Sequence, residues 1–410
     1  GPSSPEGPGR FAFSPFAGAT EEPMTHHYAR PRIKPALAPY RTADGDVRLG
    51  GLYGRAAHIP DPTGAVWTLA TALDGTRTRD QAIDAVRQAH PDLDPDTVEA
   101  GIDQFHDGGY LYDAAEPEPA DFTRDELARY DRARQLFQWA DRHPRTSQWD
   151  PQRALRRAVV TILGVGGAGG AAADALARSG VGAVHLIDPD TVEVSNLGRQ
   201  TPYRSYDTGR PKVDSAVDHL EAINPHVTAV GRQARMKTQQ HLERLLTNQH
   251  SDLLLLCADE PGLHIAVNRA CLTTGQTWID TGYHGLKISY ALYEPGTGPC
   301  WWCVRLGDAE RRQQPVTSRE DLLKALPKVP GNPSSPVTAG MSGLWAAHLA
   351  TAALTGAFPY QTGVLYSTNL LRLDADDMAT VTRHPRRSDC PDCGTAAGPA
   401  PATITAVGSA

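Results

Sequence analysis

Apolar residues recur along this chain with changing period, and each change marks an element. Over residues 65–73, Val66, Leu69, Ala70 and Leu73 fall three to four positions apart, the stripe of an amphipathic helix that Asp74-Gly75 terminates. Thr78 with Gln81 three residues on reads as a capping box, and the helix it opens turns Ile83 and Val86 inward. Asp94-Pro95 opens a third helix, with Val98, Ile102 and Phe105 on its inner face and Gly108-Gly109 as its stop. Ahead of these helices, RPRIKPALAPYR at 30–41 has the proline-punctuated pattern of an edge strand. DGDVRLGGL supplies a second strand with its turn, and Tyr110-Leu111-Tyr112 closes the segment. Strands followed by three short helices predict a compact α+β unit of about ninety residues, near the lower size limit for independent folding.

After the Pro/Glu-rich stretch AAEPEPADF the pattern changes. Residues 121–149 are charged and Arg-rich and are expected to be helical. AVVTIL at 158–163 is then a continuous apolar run of strand length, and Gly164-Val165-Gly166-Gly167-Ala168-Gly169-Gly170 follows it directly, ahead of an Ala-rich helix ending at Ser179-Gly180. Glycines at 164, 166, 167 and 169 let the backbone turn tightly and approach phosphate oxygens, while the helix N-terminus offers free N–H groups. A second strand, Ala183 to Ile187, ends in Asp188, an acid placed to bind ribose hydroxyls. A third buried strand, LLLLC, leads into Asp259. The order strand, glycine loop, helix, strand predicts a Rossmann-like α/β domain with a nucleotide site.

Composition narrows the possibilities. A chain of 410 residues with 40% apolar content supports one large core and a smaller one, so two domains are expected. The formal net charge of −7 leaves no basic surface for stable nucleic-acid binding. The stretch 339–358 is nearly free of charge, but Ser342, His348, Thr351 and Thr355 suit a buried helix better than a bilayer span, so no membrane partner is expected. No basic segment followed by an apolar one opens the chain, which favours the cytoplasm, and residues 1–29 and 394–410 read as disordered tails. Four of the six cysteines form two C-x-x-C pairs, Cys300/Cys303 and Cys390/Cys393, a spacing that points to a metal; Cys257 and Cys271 lie in apolar segments and read as core residues.

Two resemblances sharpen this picture. The phrases LDGTRT and GGYLY, within the pattern from Arg30 to Tyr112, resemble a PqqD-like precursor-peptide recognition element, which implies a winged-helix-like α+β domain binding a leader peptide as an added strand. GVGAVHLIDPDTVEVSNLGRQTPYRSYDTGRPK resembles the signature of the ThiF/MoeB/HesA superfamily of adenylating enzymes, to which the ubiquitin-activating enzymes belong, and the resemblance runs from Arg129 to Cys393. It implies that Asp188, with Asp190 in the same IDPD phrase, binds ATP. Asn196, Arg199 and Gln200 would line the phosphate pocket, Lys212 would clamp the phosphates, and Asp259 would hold Mg2+. RYDRARQLF resembles the family's opening helix, which implies a homodimer in which Arg132, with Arg134 as the alternative, reaches the partner's site. The four paired cysteines match the family's structural Zn2+ site.

Sulfur-carrier and ubiquitin activators usually carry a cysteine in the crossover loop; here PSSPVTAGMSG puts Pro336 at that place, and no cysteine lies between Cys303 and Cys390. Without a thiolate no thioester forms there. In this the chain resembles MccB-like peptide adenylators, which implies ATP-dependent adenylation of a carboxylate of a ribosomal precursor peptide in natural-product (RiPP) biosynthesis. The alternatives are a non-catalytic leader-binding partner of a cyclodehydratase and a sulfur-carrier adenylyltransferase. The expected organisation is a recognition domain at 30–115, a linker and helical segment at 116–156, and an adenylation domain at 157–393, with 306–333 as a mobile loop over the site.

Overall fold

The computed structural model describes residues 28–51, 56–260, 262–314, 321 and 333–394. The segments expected to be tails lie outside these residues except for Tyr28, Ala29 and Gly394, and Tyr28 is buried rather than part of a tail. Of the loop expected at 306–333, residues 306–311 instead finish the helix Trp301–Arg311, where Asp308 and Ala309 are buried, and most of the rest lies outside the described residues.

The helices near the N-terminus form where their caps and stripes place them. α1 (Ala65–Ala72), α2 (Arg79–Ala89) and α3 (Pro95–Asp107) pack together. Thr78 and Gln81 close a reciprocal capping box on α2, and the Asp94 side chain accepts the Thr97 N–H at the start of α3. Leu69, Leu73, Val86, Val98, Ile102 and Phe105 are buried in one apolar cluster with Ile33, Val47 and Leu49. Ile83 is only half-buried, and Ala82 takes the inner position on α2.

The strands are more divided than the sequence predicts. A turn at Pro35–Leu37 breaks the segment 30–41 into β1 (Pro31–Ile33) and β2 (Pro39–Arg41). β2 pairs with β3 (Val47–Leu49), and β3 pairs with β4 (Ala57–Ile59), a strand the sequence reading missed. β1 instead pairs with β5 (Leu111–Asp113), which closes the unit on itself.

This unit is tied to the rest by buried polar contacts. The Lys34 ammonium donates to the Asp141 carbonyl at 2.7 Å, and the Tyr28 hydroxyl donates to the Arg145 carbonyl at 2.9 Å. Asp141 and Arg145 follow α4 (Arg124–Ala140), whose Tyr130 hydroxyl accepts from Asn224 at 2.8 Å, so α4 connects the two halves. α5 (Asp150–Arg157) then leads into the main sheet.

Among the described residues that sheet has eight strands. β6 (Val159–Leu163), β7 (Ala183–Asp188), β8 (Thr228–Gln233), β9 (Leu253–Leu256) and β10 (Trp278–His284) are parallel and lie in the order β8-β7-β6-β9-β10. β11 (Lys287–Tyr293), β12 (Val364–Asn369) and β13 (Ala379–Arg383) extend it antiparallel beyond β10. The all-apolar β9 is buried along its whole length, as a central parallel strand requires.

Helices cover both faces. α6 (Gly167–Arg178) and α7 (Lys212–Ile223) share one face with α11 (Pro336–Thr355), while α8 (Gln239–Asn248), α9 (Leu263–Thr274) and α10 (Trp301–Arg311) cover the other. α11 is the charge-free stretch, buried against α6 through Ala339, Gly343 and Ala346. No described helix is long and apolar enough to cross a membrane. Pro336 is the first residue of α11, behind the Ser335 cap.

Candidate nucleotide site and four-cysteine centre

The chain reverses its order along the sheet at β6, where β7 lies on one side and β9 on the other, and the region outside the carboxyl ends of these strands, termed the crevice, is where open α/β sheets take their ligands. Gly164 leaves β6 with φ of +90°, and a Cβ there would sit 2.9 Å from the Ala258 nitrogen. A Cβ on Gly169 would meet the Gly164 carbonyl oxygen, and one on Gly167 would stand 2.6 Å from the Ala339 Cβ. These glycines let the loop pack tightly against Ala258, Ala339 and its own turn, and the loop forms a cradle leading into the N-terminus of α6. Tyr203 steadies it by donating from its hydroxyl to the Val165 carbonyl at 2.5 Å; burial, reinforced by Asp188 and Asp207, pushes the Tyr203 pKa well up, so it remains a donor.

The residues expected from the sequence converge here. Asp188, at the end of β7, is buried and accepts the Val165 N–H at 2.7 Å and the Asp190 N–H at 2.9 Å, which ties the glycine loop to the second strand. Asn196 is buried and caps its own turn by accepting the Glu193 N–H at 3.0 Å. Gln200 is 5% exposed, faces Gly166, and its Oε1 has no hydrogen-bond partner. An open acceptor there suits a donor such as a nucleotide hydroxyl or amine, not a phosphate oxygen. Arg199 lies on the same turn, but its guanidinium donates to the Ser195 carbonyl at 2.6 Å, so only its backbone borders the cradle.

Lys212 opens α7 and is buried to 7% exposure, with its ammonium 3.1 Å from Asp190. Asp259 lies three residues beyond β9, exposed on the loop facing the crevice, and it forms no ion pair among the described residues. Two neighbours escaped the sequence reading. Arg235, just past β8, lies 3.6 Å from Asp190 and 3.2 Å from Glu260, which follows Asp259. These pairings join residues 25 and more positions apart, and no spacing rule announces them.

Arg132 stands apart from the crevice, exposed on α4 and without an ion pair or hydrogen bond among the described residues. Arg134 is committed within its own chain, to Asp131 at 2.7 Å and Gln148 at 2.8 Å.

The four paired cysteines come together. Cys300 heads α10 with Cys303 in its first turn, and their sulfurs lie 3.9 Å apart; Cys300–Cys390 and Cys303–Cys393 are 3.6 and 3.4 Å. All four sulfurs are buried and lie within 4.8 Å of one another. Tetrahedral Zn–S bonds of about 2.3 Å require sulfur–sulfur edges of about 3.8 Å, so the thiol set fits that ion with no open position. Next to it Asp392, its side chain fully buried, accepts from Asn268 at 2.9 Å and Arg269 at 3.0 Å. Asp280 of β10 accepts from His264, Trp301 and Arg305, each at 3.0 Å. Burial alone would raise the Asp280 pKa; the facing His264 and Arg305 and the Trp301 N–H outweigh it and hold the carboxyl at about 2.

A profile of the ThiF family matches residues 130–394, more than half of the chain. The chain belongs to the ThiF family. Among individual relatives, it is 36% identical over 161 residues to the adenylyltransferase and sulfurtransferase uba4 of Emericella nidulans, which is 37% of this chain and 33% of that protein. It is 34% identical over 167 residues to ubiquitin-like modifier-activating enzyme 5 of Oryza sativa subsp. japonica, or 38% and 39% of the two chains. The chain thus spans well under half the length of these curated relatives. Solved structures match further. E. coli MccB with MccA-N7isoASN superposes with a TM-score of 0.69 at 18% identity, over 89% of this chain and 99% of that one. PaaA superposes with a TM-score of 0.60 at 23% identity, over 85% and 98%. The shared fold therefore takes in elements ahead of the ThiF segment as well as the segment itself.

Proposed function

We propose that this protein is an ATP-dependent adenylyltransferase that activates a carboxylate of a ribosomally synthesised precursor peptide in RiPP biosynthesis, with release of pyrophosphate and no thioester. The observation that carries the reading is the glycine loop at the head of α6, tied to Asp188 through the Val165 N–H and flanked by Lys212 and Asp259 at the strand ends. ATP lies with its phosphates along residues 164–170 and its ribose on Asp188. Lys212 leaves Asp190 for the phosphates as a mobile point charge, and Arg199 swings off the Ser195 carbonyl to join it. Asp259 is the residue to hold Mg2+, which when bound neutralises charge on the departing pyrophosphate.

The peptide carboxylate attacks the α-phosphorus, the bond to pyrophosphate breaks, and an acyl adenylate forms. The protein contributes position and charge rather than a covalent intermediate. Its own thiols support that division. Four fit the structural zinc, Cys271 is fully buried, and burial pushes the Cys257 thiol far above its ordinary range, which leaves no ready thiolate. The exposed, unpaired Arg132 suits donation to the site of a second copy in a homodimer, where Arg134 is already occupied. The unit at 30–115 is read as a PqqD-like clamp for the leader peptide, its exposed β2 edge offering backbone groups to an added strand. The MccB structures that superpose on this chain hold MccA alongside the enzyme, which favours this reading by analogy of fold.

Sulfur-carrier activation is the second reading, favoured by the identity to uba4 and opposed by the absence of any crossover cysteine. ATP–pyrophosphate exchange with the purified protein separates the two. Exchange that depends on a precursor peptide, with a matching change in peptide mass, is the expected result; exchange that depends on a carrier ending in Gly-Gly would replace the first reading with the second.

A further inference from the structure

The glycine loop takes the phosphates and Asp188 the ribose, so the base of a bound nucleotide extends past the end of β7 toward the end of β8. The chain that receives it there is Ala234-Arg235-Met236. Ala234 and Met236 are half-buried against the apolar cluster of Leu163, Ile187 and Leu242, which supplies a flat apolar wall. The Ala234 N–H is held to the Asp188 carbonyl at 3.3 Å and Gln233 donates to the Pro189 carbonyl at 3.1 Å, so this segment is fastened to the ribose-binding strand end.

Between the two wall residues, Arg235 points the other way. Its guanidinium spans from Asp190, beyond β7, to Glu260, beyond β9, at 3.6 and 3.2 Å. β8 and β9 are separated in the sheet by β7 and β6, so this ion pair crosses above the two strands that carry the glycine loop and Asp188. It links the base wall to the loop of Asp259, two ends of the crevice that nothing else among the described side chains joins.

We propose that Arg235 is a nucleotide-positioning residue, a strap that closes over ATP by bridging Asp190 and Glu260 and so holds the base wall and the Asp259 loop at one separation. This rests on the nucleotide reading above. The same contact keeps Asp190 partnered when Lys212 moves to the phosphates, so the exchange leaves no bare carboxylate behind. Arg suits the task because one planar fork serves two carboxylates on opposite sides; a lysine ammonium serves one at a time.

The test is MgATP binding by calorimetry and pyrophosphate exchange kinetics on the full chain as wild type, Arg235→Ala, Arg235→Lys, Glu260→Gln and the Arg235→Ala/Glu260→Gln double variant. Arg235 and Glu260 stand at the surface, and melting without ligand checks that each variant folds. The expected result is a rise of roughly fivefold in Kd and KM for ATP in both single variants, with kcat for exchange within about twofold of wild type. The lysine variant should fall between, and the double variant should be no worse than the weaker single one. ATP binding by Arg235→Ala equal to wild type, or additive losses in the double variant, would overturn the strap while leaving the nucleotide site standing. Failure of the wild type itself to bind MgATP would overturn both.

Discussion

The four-cysteine centre and the strand ends around the glycine loop treat their polar groups differently. Toward the zinc-type centre, every acid is closed by its own chain: Asp392 holds Asn268 and Arg269, and Asp280 holds His264, Trp301 and Arg305. In the crevice across β6 and β7, groups of the same kind are left open. Gln200 has an acceptor without a donor, Asp259 stands exposed, and buried Lys212 has one carboxylate where three donors could be used. An unfilled hydrogen bond in a buried place costs about 1–3 kcal/mol. Near the cysteines Trp302 Nε1, Tyr293 OH and Arg305 Nε are likewise unpaired, so the contrast lies in the carboxylates: those of the closed region are fully engaged by their own chain, which reads as structure, and Asp259 of the open region is not, which reads as function.

Three experiments sharpen this contrast, beginning with the largest effect. Replacing Cys390 by Ser, or stripping metal with a chelator, should abolish the tie between 390–393 and α10. We expect one zinc per chain in the wild type and a loss on the order of 5 kcal/mol or more without it, read from metal analysis and denaturant unfolding. If removal of the metal left stability unchanged, the closed region would lose its defining feature.

The next effect belongs to the open region. Lys212→Ala should lower pyrophosphate exchange by about 10²–10³-fold, the scale of losing one charge aimed at the reacting phosphates. Stability should move by no more than about 1 kcal/mol, because Asp190 is half-exposed and keeps Arg235. A large loss of stability with little loss of exchange would invert the comparison.

The third effect returns to the closed region and depends on pH. Asp280→Asn strands Arg305 and His264 beside a neutral group and should cost about 3 kcal/mol at neutral pH. The folded carboxyl, at about 2, lies below its unfolded value of about 3.9, so its contribution is complete above pH ~4 and disappears as pH falls through 2. That contribution is about 2.5 kcal/mol on linkage arithmetic. Acid unfolding of wild type and variant should therefore converge between pH 4 and pH 2, while parallel curves would mean that Asp280 does not titrate in the folded protein.

Much of this was legible before any coordinates. The three helical stripes, the Thr78 and Asp94 caps, the glycine loop at the end of an apolar strand and the paired cysteines all lie within a few residues of each other in the chain, where periodicity and spacing speak directly. What was missed depends on distant partners. β4 is three residues long and becomes a strand only because β3 lies beside it. Pro35 splits one expected strand into two that join different sheets, a choice made by which neighbour each half meets.

The sequence by itself determined the chemistry available: a bare backbone cradle, a lysine, two acids beyond apolar strands, four thiols in two short loops, and no cysteine in the crossover. Only the tertiary structure decided which of these are already spent. Arg134 and Arg132 look alike in RYDRARQLF, yet one is held by Asp131 and Gln148 and the other is free to reach outward. Asp280 and Asp259 both follow buried apolar runs, yet one is surrounded by three donors and the other faces the crevice. Satisfaction of a polar group is a property of what packs around it, and that is settled by contacts across the fold.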